Sequence, residues 1–388
     1  MKRLDQNLPA RKEQLRVAFL AGTLAQGGAE KQMAYMAEAL CKYGAAVEVF
    51  TLTRDGFFDE WLQNRSVVPQ WVGRFSNPAL RVARLAHALK RFRPQFLQAG
   101  HTYMSAYAAM LSRMGHGIGI GAVRTNLANL RNLHSRLTIR LLMSTPALIT
   151  NSEQTRSGLL ANRLASADCI HVIPNAIDIC EWSRIVNRQR KNANGVVTAL
   201  FLGRLIPSKR VDRFVHAVAL ARREVRQLIG IVAGDGPERC NAERLARGLG
   251  LSDRELIFVG HAENPKQVLA KADLLVFTSD DKEGSPNSIL ESMAAGLPVI
   301  TTPCGNAACL IDPGVTGFVS DFDEISVAEK MKLLARSPEL RSEMGEAGLQ
   351  RATQHYGTNQ LAPRLIAVYR AIASTRSDIA LKRVLEIS

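Results

Sequence analysis

Glu283-Gly284-Ser285-Pro286-Asn287-Ser288-Ile289-Leu290-Glu291 sets two glutamates eight positions apart across a helix start. The apolar run before it, residues 272–278 (ADLLVFT), predicts a buried parallel strand. Ser285 has the chemistry of an N-cap and Pro286 that of a first helical residue. The predicted helix continues through Leu290, Met293 and Ala294 and stops at Gly296, before Pro298 and a new strand over 298–301. Glu283 then belongs to a loop at the carboxyl end of a strand, and Glu291 to the second turn of the next helix. Between them, unbonded amides and the positive end of the helix dipole favour an anion such as a phosphate.

The same grammar repeats upstream. A strand over 196–202 leads to Gly203-Arg204 and then Lys209; a strand over 228–233 ends at Gly234-Asp235-Gly236-Pro237; a strand over 256–259 ends at Gly260-His261. With the Glu283 loop, these turns converge on one sheet edge, where open α/β sheets bind ligands. A guanidinium can fork onto two phosphate oxygens while an ammonium adds a point charge, so Arg204 and Lys209 are candidates to hold a diphosphate.

The first half reads the same way. Residues 15–20 (LRVAFL) form a buried strand leading to Gly27-Gly28-Ala29-Glu30, a turn whose paired glycines let backbone approach a ligand beside a helix N-terminus. The G-x-G-x-x-G dinucleotide spacing is absent. Strands over 45–52, 67–72, 95–99, 118–123 and 147–150, interleaved with helices over 79–92, 103–114 and 127–143, predict βαβ units and a parallel sheet. His101 and Arg124 each follow a strand at its carboxyl edge, His101 as a candidate catalytic group and Arg124 as a candidate for an acceptor phosphate. In the helix over 80–93, Leu80, Ala83, Leu85, Ala86 and Leu89 can face the core and leave five cations to solvent. The helix over 127–143 pairs Leu130, Leu133, Leu137, Leu141 and Leu142 with Arg131, Arg136 and Arg140 in the same manner.

A chain of 388 residues with 46% hydrophobic and 22% charged residues has the composition of a globular protein of two or three domains. The polar stretch 187–195 (NRQRKNANG) divides it: residues 1–14 a loose tail without a secretory apolar core, 15–186 a first domain, 187–195 a linker, 196–358 a second domain. The net charge of +15 is local, since residues 1–195 hold 26 Lys/Arg against 12 Asp/Glu and residues 196–388 hold 24 against 23. Residues 61–152 contain no acid and 12 Lys/Arg. Without a zinc-finger or RNP-type motif, that field is expected to meet an anionic membrane surface or a phosphorylated acceptor and no nucleic acid. Six cysteines without a CxxC pair fit a reduced, cytoplasmic protein, peripheral to the inner face of a membrane if bound to one.

Gly27-Gly28-Ala29-Glu30, Gly203-Arg204 with Lys209, Gly234-Asp235-Gly236-Pro237 and the E-x7-E run Glu283–Glu291, in this order, resemble the retaining glycosyltransferases of family 4 from about Arg16 to Ala373. The resemblance implies two Rossmann-like domains facing across a cleft (GT-B type), with a C-terminal helix from residue 359 crossing back to the N-terminal domain. It implies a nucleotide-sugar donor, most often UDP-linked, and a saccharide or lipid-linked acceptor in envelope polysaccharide or glycolipid synthesis. Arg204 and Lys209 would meet the diphosphate, the amides at Ser288–Ile289 its distal phosphate, Glu291 the ribose and Glu283 the sugar. Gly27, Gly28, Gly234 and Gly236 would line the donor site, and His101 lies near a histidine of the family's catalytic centre. No cofactor and no metal are expected, the D-x-D letters of Asp321-Phe322-Asp323 reading as an acidic surface run. The family's P-N-G-x-D hinge reads Pro174-Asn175-Ala176-Ile177-Asp178 here. Competing readings are an epimerase or phosphorylase on the same fold, or a catalytically silent polyanion-binding relative.

Overall fold

The computed structural model describes residues 14–124, 130, 135–186, 195–280, 284–375 and 384–385. Two all-parallel sheets organise it. The first comprises β1 (Arg16–Ala21), β2 (Ala46–Thr51), β3 (Gln70–Trp71), β4 (Phe96–Ala99), β5 (Ile118–Val123), β6 (Ala147–Thr150) and β7 (Ile170–Val172), in the order β3-β2-β1-β4-β5-β6-β7. The second comprises β8 (Val197–Leu202), β9 (Leu228–Ala233), β10 (Leu256–Gly260), β11 (Leu274–Phe277), β12 (Val299–Thr301) and β13 (Gly317–Val319), in the order β10-β9-β8-β11-β12-β13. In each sheet the strand order reverses beside the first strand, β1 or β8, which opens a crevice at the carboxyl ends. The chain is thus a pair of Rossmann-like domains.

The strands form where the sequence is apolar on both faces. In β1 only Arg16 is partly exposed, as expected of a sheet covered by helices on either side. Helix Gly28–Lys42 packs on one face of the first sheet through Met33, Met36 and Leu40, and helices Pro78–Phe92 and Met104–Arg113 cover the other. Side-chain caps fix several helix starts: Asn77 accepts from the Ala79 amide at 2.9 Å with Pro78 following, and Ser152 accepts from Thr155 at 3.2 Å.

The chain leaves the second domain after helix Pro338–Tyr356, where Ile177 donates its amide to the Tyr356 carbonyl at 2.8 Å and accepts from Thr358 at 3.1 Å. Helix Leu361–Thr375 then lies on the first domain. Tyr369, fully buried, stacks on Phe96 of β4 at 4.3 Å and donates its hydroxyl to Gln98.

Several local expectations are corrected. Ser285 is not the N-cap: the helix is Asn287–Ala294 and Pro286 holds the cap position in extended conformation, leaving the Ser285 hydroxyl buried without a hydrogen-bond partner among the described residues. Residues 67–72 contribute only the two-residue β3. In helix Pro78–Phe92 the core face is Leu85, Ala86, Leu89 and Phe92; Leu80 is 48% exposed, and Ala83 also faces outward. Of the expected helix over 127–143, Arg136–Met143 is helical with Leu142 buried and Leu137 67% exposed, while residues 125–129 and 131–134 lie outside the described residues. So do the tail through residue 13 and the stretch 187–194.

Candidate active site

The two crevices face each other and enclose one cavity of about 630 Å³. Second-domain loops supply the cations: Arg204, in the turn after β8, and Lys209, whose ammonium lies 5.0 Å from the centre of the Phe277 ring. Gly234 is held at φ 151° with its missing Cβ position 1.8 Å from the Gly203 carbonyl, so any side chain would push these two loops apart. Residues 261–266 after β10 form one end of the cavity, and Ser288 and Glu291 on helix Asn287–Ala294 form its floor.

The first domain closes over this surface. Gly27 and Gly28 line the cavity, and a Cβ on Gly28 would stand 2.7 Å from the Asn287 side-chain nitrogen. That nitrogen donates to the Gly28 carbonyl at 3.2 Å, while Asn287 Oδ1 accepts from Gln32 at 3.1 Å and from Asn175 at 2.9 Å. Gln32 also pairs with both backbone groups of Ala176, at 2.7 and 2.8 Å. Ala176 is not among the positive-φ residues, so alanine in place of glycine sets no backbone conflict at this hinge. At the mouth, Gln26 donates to the Glu263 carbonyl at 2.9 Å and lies 3.2 Å from His261 Nε2. Lys31 reaches across to Glu291 at 2.6 Å.

Of the residues expected at a donor site, Arg204, Lys209, Gly27, Gly28, Gly234, Ser288 and Glu291 share this cavity. Gly236 lies one step behind it, against the Leu205 backbone, and Ile289 faces the core. Glu283 lies outside the described residues; its neighbour Gly284 touches the first domain, a Cβ there standing 2.7 Å from the Arg124 carbonyl.

His101 and Arg124 do not line the cavity. His101 Nδ1 accepts from the Gly22 amide at 3.2 Å, and its Nε2 stands 3.0 Å from Glu30 Oε1. Burial pushes the Glu30 carboxyl up. Hydrogen bonds from His101 and its own backbone, with the charges of His101 and Arg124, outweigh this and hold it below the usual carboxylate range. Burial brings the Arg124 guanidinium down to about 10, opposed by Glu30. Among the described residues its Nε and Nη1 have no hydrogen-bond partner, and Nη2 contacts Met36 Sδ at 3.6 Å. Asp323 accepts from the Ser326 amide at 2.7 Å and so caps helix Glu324–Arg336, a structural use for one carboxylate of the D-x-D letters.

Sequence reasoning missed Lys31, Gln32 and Asn287. Positions 28, 31 and 32 share one helix face, which was readable; the surface they meet was not.

Two Rossmann-like domains closed around a cleft define the GT-B architecture. The chain belongs to the family 4 glycosyltransferases: residues 26–181 match the model for Glycosyltransferase Family 4 and residues 183–351 that for Glycosyl transferases group 1. It is 32% identical over 162 residues to the N-acetyl-alpha-D-glucosaminyl L-malate synthase of Bacillus anthracis, covering 42% of each chain. It is 27% identical over 239 residues to the GDP-mannose-dependent alpha-(1-6)-phosphatidylinositol monomannoside mannosyltransferase of Mycobacterium tuberculosis, covering 58% of this chain and 62% of that one. The chain spans about half the length of the curated relatives it matches. Among solved structures, Anabaena HepE in complex with UDP and glucose superposes with a TM-score of 0.77 at 19% identity, over 94% of this chain and 100% of that one.

Proposed function

We propose that this protein transfers a hexose-type sugar, with retention of configuration, from a nucleoside diphosphate sugar to a saccharide or lipid-linked acceptor of envelope polysaccharide or glycolipid synthesis. The observation that carries this reading is the single cavity shared by the Gly27–Gly28 turn, Arg204, Lys209, Ser288 and Glu291. In it Arg204 and Lys209 neutralise the diphosphate, and the first amides of helix Asn287–Ala294 meet its distal phosphate. Glu291 accepts the ribose hydroxyls, and Glu283 holds the sugar. As the bond from the sugar's anomeric carbon to the diphosphate breaks, these cations stabilise the departing charge. The acceptor hydroxyl bonds to that carbon on the same face and passes its proton to a phosphate oxygen. The two cations do this without a metal ion. His101 acts on the loop, fixing Gly22 and Glu30 beneath the glycine turn. Uridine is the base favoured, supported by the UDP bound in HepE.

A thermal-shift screen with UDP-, GDP- and ADP-sugars tests the reading. One donor at 100 times its Kd stabilises the protein by about 2.7 kcal/mol. A flat response to all three removes the donor site. Among the described residues no helix is long and apolar enough to cross a membrane. The acid-free span 61–152 of the first domain, with Leu80 exposed beside the cations of helix Pro78–Phe92, docks on anionic lipid. Sedimentation with phosphatidylglycerol vesicles is expected to fall as salt rises from 50 to 500 mM, on the order of the screening length contracting from about 14 to 4 Å; salt-independent or absent binding argues against docking.

A further inference from the structure

Helix Gly28–Lys42 of the first domain presents Gly28, Lys31 and Gln32, one turn apart, to Asn287 and Glu291 on helix Asn287–Ala294 of the second. Within this contact the Lys31 ammonium lies 2.6 Å from Glu291 Oε1, both side chains little exposed at 16% and 10%. The same ammonium sits 4.5 Å from the Trp182 ring centre and 5.8 Å from that of Tyr35, two rings that also line the cavity. Glu181, a second carboxylate lining the cavity, is paired with Lys266, while Lys31 pairs with Glu291.

We infer that Lys31 is a positioning residue of the donor site: acting from the opposite domain through Glu291, it fixes the carboxylate that receives the nucleotide's ribose. The inference rests on the donor-cleft reading above. A carboxylate offers about four lone-pair sites, so Oε1 can accept from Lys31 while Oε2 remains open to a hydroxyl. Without the lysine, a carboxylate this little exposed loses both its counter-charge and its anchor, and the ribose must then order it. Because Lys31 and Glu291 belong to different domains, the ribose grip is complete only when the cleft is closed. The nucleoside diphosphate and domain closure thereby favour each other.

Calorimetric titration of the wild type, Lys31→Met and Lys31→Arg with UDP and with 2′-deoxy-UDP tests this. Lys31→Met is expected to bind UDP about tenfold more weakly, as one broken charge-assisted contact implies. Its preference for UDP over the deoxy analogue should collapse toward unity, and Lys31→Arg should restore most of both. Equal weakening for the two nucleotides marks a purely structural lysine, tighter UDP binding marks a competitor for Glu291, and no change marks a bystander; each overturns the inference. A wild type that binds neither nucleotide overturns the uridine donor reading itself, and Lys31's role with it.

Discussion

Alanine at either Arg204 or Lys209 is expected to lower kcat for sugar transfer by about 10²–10³, with the native fold retained. Both side chains line the cavity from the loop after β8, and Arg204 is exposed, so its removal leaves no hole in a core. In the proposed transfer their contribution would grow as the bond to the diphosphate breaks and its oxygens gain charge, which would put the loss in kcat rather than only in KM. Lys209→Arg and Arg204→Lys each keep the charge but alter its geometry, and they should recover only part of the rate, since a fork and a point charge are not interchangeable on phosphate. Initial rates at saturating donor decide the matter. A loss smaller than about threefold in both alanine variants would show that the cations are ordinary solvated residues.

Tyr369→Ala is expected to destabilise the first domain by about 3–5 kcal/mol, as large aromatic truncations in cores do. The ring is fully buried on Phe96, and its hydroxyl is the hydrogen-bond donor to the buried Gln98 side chain. The substitution therefore opens a cavity and strands an amide oxygen together. Tyr369→Phe separates the two effects, keeping the stack and costing about 1–3 kcal/mol for the unpaired oxygen. Urea denaturation followed by tryptophan fluorescence, with Trp61 and Trp71 reporting on the first domain, measures both. A midpoint unchanged in Tyr369→Ala would mean that the last helix contributes nothing to the domain it lies on.

The two sheets were legible because apolar runs and Gly-rich turns are local signals, and β5, β6 and β9 have the boundaries expected from them. The cavity's second-domain wall was legible for the same reason: Arg204, Lys209, Gly234 and Ser288 each follow a strand end. What spacing could not give was the contact between domains. Ser285 looks like a cap by residue type, yet its neighbour Asn175 donates to the Ser285 carbonyl at 2.9 Å and the helix starts two residues later. Here tertiary packing overrides local preference. His101 sits at the expected strand end, but both its nitrogens serve Gly22 and Glu30 beside the cavity. Lys31 and Glu291 are 260 positions apart, and no periodicity reports on such a pair.

The most direct test of a diphosphate-gripping cleft is calorimetric titration of the wild type and the Arg204→Ala/Lys209→Ala double variant with UDP, GDP and ADP. One of the three is expected to bind the wild type at micromolar Kd, and the double variant at least tenfold more weakly, the loss of two charge-assisted contacts. Equal affinity in the two proteins, or no binding of any diphosphate to the wild type, would contradict it.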